Sequence, residues 1–280
     1  MAVASNDGVW LRYDERFDGE PLLMIMGLGG SGAMWWRLLP HLEGHCRAIV
    51  MDNRGTGESD RIRRPLRMAD MVADALAVLD AAGEESAHVI GVSMGGMVAQ
   101  QLALDHRERV RSLILGCTTA GGRSGAPPWR LLAASALRPL LGARETFSIV
   151  APALYAASTR EQRPQRVAED LRLRAGDATP AETILAQLIA IAGHDVRARL
   201  PELAGLPVTV LHGTEDALVP PERGDAIAAA IPGARLVRLP GCGHMLTTDA
   251  EEGAAAAVVE HLQRVSGGVA PPQQAAAGSC

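Results

Sequence analysis

The chain has 280 residues, enough to bury a substantial core, and nearly half of them are apolar. With only two Phe, two Tyr and four Trp, that core must be filled by Leu, Val, Ile, Met and Ala. A formal net charge of -5, and no basic run longer than the loop-like cluster Arg61 to Arg64, exclude the phosphate-neutralising patch of a nucleic-acid binder.

In chain order, Met1 to Asp7 has neither the basic nor the apolar region of an export signal, and no apolar run reaches bilayer-spanning length. A soluble, cytoplasmic protein without membrane partners is expected. Cys46, Cys117, Cys242 and Cys280 are scattered with no CxxC spacing, which suggests reduced, partly buried thiols. Short apolar runs then alternate with helix-patterned stretches, the signature of an α/β protein with a mostly parallel central sheet flanked by helices. Strands are expected at Val9 to Tyr13, Leu22 to Met26, Arg47 to Met51, Ala87 to Gly91, Arg111 to Leu115, Pro207 to Leu211 and Arg235 to Leu239. Helices are expected over Met68 to Ala82, Met94 to His106 and Ala226 to Ala230.

Ala120 to Pro201 breaks this rhythm with scattered prolines and helical patterning. It reads as a helical insertion over one end of the sheet, leaving 1–119 and 202–265 as the core. Thr179-Pro180-Ala181-Glu182 predicts a helix start, with Thr179 as cap, Pro180 at the first helical position and Glu182 completing a capping box. Ile184, Leu185, Leu188 and Ile189 then share one helical face. Residues 266–280 have almost nothing to bury and read as a disordered tail.

Gly91-Val92-Ser93-Met94-Gly95 fits G-x-S-x-G, between a predicted strand and a predicted helix. A sharp strand-to-helix turn there exposes the serine hydroxyl, and the flanking glycines let the two elements approach. The bland alternative is a serine that only caps the helix. A hydroxyl nucleophile needs a base, and of eight histidines His244 has the best setting, in Gly241-Cys242-Gly243-His244 after the last predicted strand. The acid that orients it should follow a strand between the two; Asp216 is preferred and Glu215 is the fallback. The bland reading of Asp216 is a turn former. Backbone N–H groups of Leu28 and Met94 are the expected oxyanion donors.

Met26-Gly27-Leu28-Gly29 followed by Trp35, Asp52 to Asp60, the Ser93 elbow, Gly213 to Asp216 and Gly243-His244 together resemble the α/β-hydrolase superfamily, over about Val9 to Val265. More narrowly the chain is similar to the bacterial branch of aclacinomycin methylesterases and enol-lactonases. Met26 stands where many relatives have His before the oxyanion glycine. The resemblance implies an α/β-hydrolase fold with a helical cap inserted after the sixth strand, and a serine esterase without cofactor or metal. It also implies a carboxylic ester or lactone substrate, with the methyl ester of a bulky, polyketide-like acid as the narrower expectation.

Two other readings compete. Gly27-Leu28-Gly29-Gly30-Ser31-Gly32 also satisfies G-x-G-x-x-G, with Asp52 ending the next strand, as in an NAD(P)-dependent oxidoreductase. Pro40 and the turn-rich Asn53 to Gly57 argue against it. The other is a non-catalytic ligand receptor on the same fold.

Overall fold

The computed structural model describes residues 2–122, 145–177 and 179–267. Its strands are β1 (Ala2–Asn6), β2 (Val9–Arg16), β3 (Pro21–Ile25), β4 (Arg47–Met51), β5 (Ala87–Val92), β6 (Val110–Gly116), β7 (Val208–Gly213) and β8 (Arg235–Leu239). They form one sheet in the order β1-β2-β4-β3-β5-β6-β7-β8. Only the β1–β2 and β2–β4 pairings are antiparallel.

Strands β3, β5 and β7 are buried along their whole length because helices cover both faces. Successive residues alternate between the two layers. Leu23 and Ile25 join the core under α1 (Met68–Ala81) and α2 (Met94–Asp105), whereas Leu22 and Met24 join Trp35 on the opposite face.

Between β6 and β7 lie a helical stretch over residues 145–154 and the helices α3 (Ala157–Gln162), α4 (Pro164–Gly176) and α5 (Ala181–Ala192). The base of this insertion is tied where Gly121 bridges Asp195 and Val196 N–H donates to Ala120 O at 2.9 Å. After β7 come α6 (Glu222–Ala230), the short α7 (Leu246–Asp249) and α8 (Glu251–Ser266), whose Val258 and Leu262 fill the second core layer.

Three local expectations need correction. The sheet opens with β1 and not with the strand expected at Val9 to Tyr13, because an edge strand that buries only Ala4 carries little apolar alternation. Helix α5 starts one residue late: Pro180 is its N-cap, and its carbonyl accepts from Thr183 and Ile184 N–H. The apolar face predicted for α5 is split. Ile184 and Leu188 turn toward a cavity, Leu185 and Ile189 are about 60% exposed (61% and 60%), and the buried stripe is Thr183, Gln187 and Ala190. Of the tail expected over 266–280, Ser266 is instead the last residue of α8, and residues 268–280, Cys280 included, lie outside the described residues. Cys46, Cys117 and Cys242 are free and buried, as expected for thiols.

Candidate active site

The turn at Ser93 explains its glycines sterically. Ser93 sits between β5 and α2 at φ 56°, ψ −121°, a left-handed conformation that side chains rarely adopt. It is held by its own N–H to Gly116 O at 2.8 Å and by the Thr118 hydroxyl, which donates to Ser93 O at 2.7 Å. A Cβ at Gly91 would collide with the Gly95 carbonyl, and one at Gly95 with the Ile25 carbonyl. Strand and helix therefore cross too closely for any larger residue at either position.

Asp216 and His244, predicted from separate loops, meet. Asp216 Oδ2 lies 2.8 Å from His244 Nδ1, and both side chains are buried. Asp216 Oδ1 accepts from the N–H groups of Leu218 at 3.0 Å and Val219 at 2.8 Å, so the bland turn-forming role holds as well. Burial alone would raise the Asp216 carboxyl. The neighbouring His244 and His212, with the Val219 N–H, outweigh it and hold the group far below the usual carboxylate range. Glu215 is exposed and does not reach His244.

The loop carrying His244 is clamped by Asp249, which sequence reasoning missed. Asp249 Oδ2 accepts from Gly243 N–H at 2.7 Å and from Ala156 N–H, at the start of α3, at 2.9 Å. A Cβ at Gly243 would crowd that oxygen at 2.9 Å and the Ala156 nitrogen at 2.7 Å.

The turn after β3 is fastened at four points. Asn53 donates to Met26 O at 2.8 Å, and Asp52 Oδ1 accepts from Gly32 N–H at 2.7 Å. From the insertion, Gln187 Oε1 accepts from Gly29 N–H and the Thr179 hydroxyl donates to Gly29 O, both at 2.9 Å. The N–H groups of Leu28 and Met94 donate to no acceptor among the described residues; for Met94, at the first position of α2, that is ordinary for a helix start. Gly27 packs directly on Ser93, where an added Cβ would sit 3.0 Å from the serine Cβ.

These elements enclose a cavity of about 250 Å³ bordered by Ser93, His244, Gly27 to Gly30 and the insertion. Its wall is mainly aliphatic, with Leu154, Ile184, Leu188 and Val219 among its members, and among the described residues Arg174 is its one permanently charged member.

A second serine–histidine contact lies elsewhere. Ser112 Oγ is 2.7 Å from both His88 Nδ1 and His261 Nε2, His88 Nε2 is 2.7 Å from Glu20, and His261 Nδ1 is 2.8 Å from Thr209 Oγ1. Because Glu20 accepts from His88, the donors all run one way, from Arg264 through Thr209, His261, Ser112 and His88 to Glu20. Burial lowers the pKa of His88, and burial with repulsion from Arg264 lowers that of His261 to about 3. Ser112 is fully buried near the N-terminal end of β6, away from the strand ends where ligands bind in such sheets. The chain of bonds ties α8 to the sheet and offers no accessible nucleophile.

The dinucleotide reading also loses its geometry. Gly32–Trp35 is a 3₁₀ turn where a phosphate-binding α-helix would begin, and the second Asp52 oxygen accepts from Glu58 N–H at 3.0 Å. Cys117, Asp216 and His244 come within metal-ligand spacing among the described residues. Burial, then the Asp216 charge, keeps the Cys117 thiol protonated, and Asp216 is already bonded to His244, so the set fits a metal poorly. No helix among the described residues is long and apolar enough to cross a membrane.

Comparison with known proteins agrees with this architecture. The family model described as alpha/beta hydrolase fold matches residues 20–250. A protein of Variovorax paradoxus named "Putative carbamate hydrolase RutD" is 34% identical over 230 residues, 81% of this chain and 85% of its own. The enol-lactonase of Burkholderia xenovorans LB400 superposes with a TM-score of 0.84 at 26% identity, covering 93% of this chain and 99% of that one. A thermophilic esterase of Thermogutta terrifontis gives 0.82 at 29% identity, covering 94% and 97%. By sequence, sheet order and the placing of its helices, the chain belongs to the α/β-hydrolase fold family.

Proposed function

We propose that this hydrolase cleaves a carboxylic ester or lactone through an acyl-enzyme on Ser93. The observation that carries the reading is the left-handed Ser93 facing the same cavity as His244, whose other ring nitrogen is bonded to a buried, ionised Asp216. His244 removes the serine proton as Ser93 Oγ attacks the carbonyl carbon, and Asp216 fixes the tautomer and stabilises the imidazolium. The oxyanion is held by the N–H groups of Leu28 and Met94. His244 then protonates the leaving alcohol and activates the water that releases the acid.

The insertion acts as a cap, since α4 and α5 supply much of the cavity wall. Among esters, the resemblance implies the methyl ester of a bulky, polyketide-like acid, and the size of the cavity speaks against it. A cavity of about 250 Å³ lies just below the range typical of drug-sized ligands and favours a smaller acyl group. The same triad can attack a carbamate carbonyl, so the test is a panel of methyl and p-nitrophenyl esters, lactones and carbamates. Ester or lactone turnover that disappears in Ser93→Ala supports the proposal. Carbamate turnover alone would replace the substrate class, and a folded protein that hydrolyses nothing would favour a ligand receptor.

A further inference from the structure

We infer that the substrate carries a carboxylate as well as the scissile bond, and that Arg174 receives it. The inference rests on the hydrolase reading above and narrows it to an anionic ester or lactone. Arg174, near the end of α4, borders the same cavity as Ser93 and His244, and among the described residues no Asp or Glu borders it. The Nε of Arg174 is buried without a hydrogen-bond partner, and its Nη2 reaches only the Met245 sulfur, at 3.7 Å. Among the described residues no carboxylate comes within ion-pair distance of this guanidinium.

Two acids flank Arg174 along the chain, Asp177 three residues on and Asp170 four residues before, and neither pairs with it among the described residues. Asp170, one turn earlier, accepts from the Thr248 hydroxyl at 2.6 Å and the Tyr155 hydroxyl at 3.1 Å, and its other oxygen lies 3.6 Å from Arg37. Residues 123–144 contain four arginines and no Asp or Glu, so that stretch of sequence holds no side chain able to neutralise Arg174. A half-buried cation facing an aliphatic wall is costly unless a ligand completes it. One guanidinium fork matches one carboxylate, with two parallel charge-assisted bonds. The aliphatic wall then suits a short methylene chain between that carboxylate and the carbonyl at Ser93. On this account the cap selects its substrate by charge as well as by size.

The test compares monomethyl glutarate and monomethyl adipate with the neutral methyl heptanoate, in the wild type, Arg174→Met and Arg174→Lys. The wild type should favour the anionic esters in kcat/KM, and Arg174→Met should lower the anionic-to-neutral ratio by about 10²-fold, as for loss of one partner of a buried charge pair. Arg174→Lys should restore part of the ratio, because it keeps the charge and loses the fork. Thermal unfolding of each variant separates misfolding from lost recognition. A ratio that is unchanged in Arg174→Met, or a wild type that favours methyl heptanoate, would overturn the inference. Titration calorimetry of adipate into the Ser93→Ala protein, with and without Arg174→Met, reads the anion site without turnover. If no ester is cleaved but adipate binding needs Arg174, the hydrolase reading fails and the anion site stands.

Discussion

The side-chain carbonyl of Gln187, on α5, accepts the backbone N–H of Gly29 at 2.9 Å, 158 residues away in sequence. Its amide nitrogen reaches Arg54 O at 3.4 Å. The insertion therefore holds the turn that presents Leu28, and its position is coupled to the proposed oxyanion site. Gln187→Leu should lower kcat about 10-fold while KM changes less, because a misaimed donor weakens the transition state more than the ground state. Gln187→Glu keeps the acceptor for Gly29 and should recover part of the loss. Steady-state kinetics of the two variants on one ester decides it; a loss confined to KM would assign Gln187 to substrate binding.

Asp216 performs two tasks that substitution can separate. Asp216→Asn keeps an oxygen for the Leu218 and Val219 N–H groups but cannot hold His244 as an ionised acceptor. It should fold normally and lose about 10⁴-fold in kcat. Asp216→Ala removes the turn as well and should also lower stability by about 1–3 kcal/mol. Paired kinetics and urea unfolding check both expectations.

The elbow glycines tolerate nothing larger. Gly95→Ala drives a Cβ into the Ile25 carbonyl, with backbone on both sides of the clash. A loss of about 3 kcal/mol or more is expected, at the upper end for overpacking. Gly233→Ala, where a Cβ meets open space, carries only the strain of its positive φ and serves as the comparison in the same unfolding experiment.

The buried histidine chain makes stability depend on pH. His261 in the folded protein titrates at about 3, below the ordinary value near 6.5 that it regains on unfolding. The unfolded chain therefore binds a proton that the folded one refuses, and stability falls as pH drops from about 6.5 toward 3. The slope from this group alone is about 1.4 kcal/mol per pH unit, with His88 adding in the same direction. His261→Gln should flatten the urea-derived slope between about pH 6 and 4.5 by that amount. An unaltered slope would mean that other groups govern the acid limb.

How legible each part was follows from the range of its determinants. The elbow, the strand-following acid and the glycine-flanked histidine could be read because each depends on a few adjacent residues, and the order of strands then brings them together. Gln187, Thr179, Asn53 and Asp249 could not, because each acts on a backbone group distant in sequence and looks locally like an ordinary polar residue. The face of α5 misled for a related reason. Helical periodicity assumes one apolar partner, whereas this helix presents a polar stripe to the core and aliphatic residues to a cavity. Ser112 shows the converse, since its two histidine neighbours resemble catalytic geometry and only its burial and its place on the strand reveal the difference.

The central claim, that Ser93 is the nucleophile, is tested most directly by intact-mass measurement after fluorophosphonate treatment of the wild type, Ser93→Ala and Ser112→Ala. The account predicts one covalent adduct on the wild type and on Ser112→Ala, and none on folded Ser93→Ala. An adduct that persists in Ser93→Ala, or that disappears only in Ser112→Ala, would contradict it.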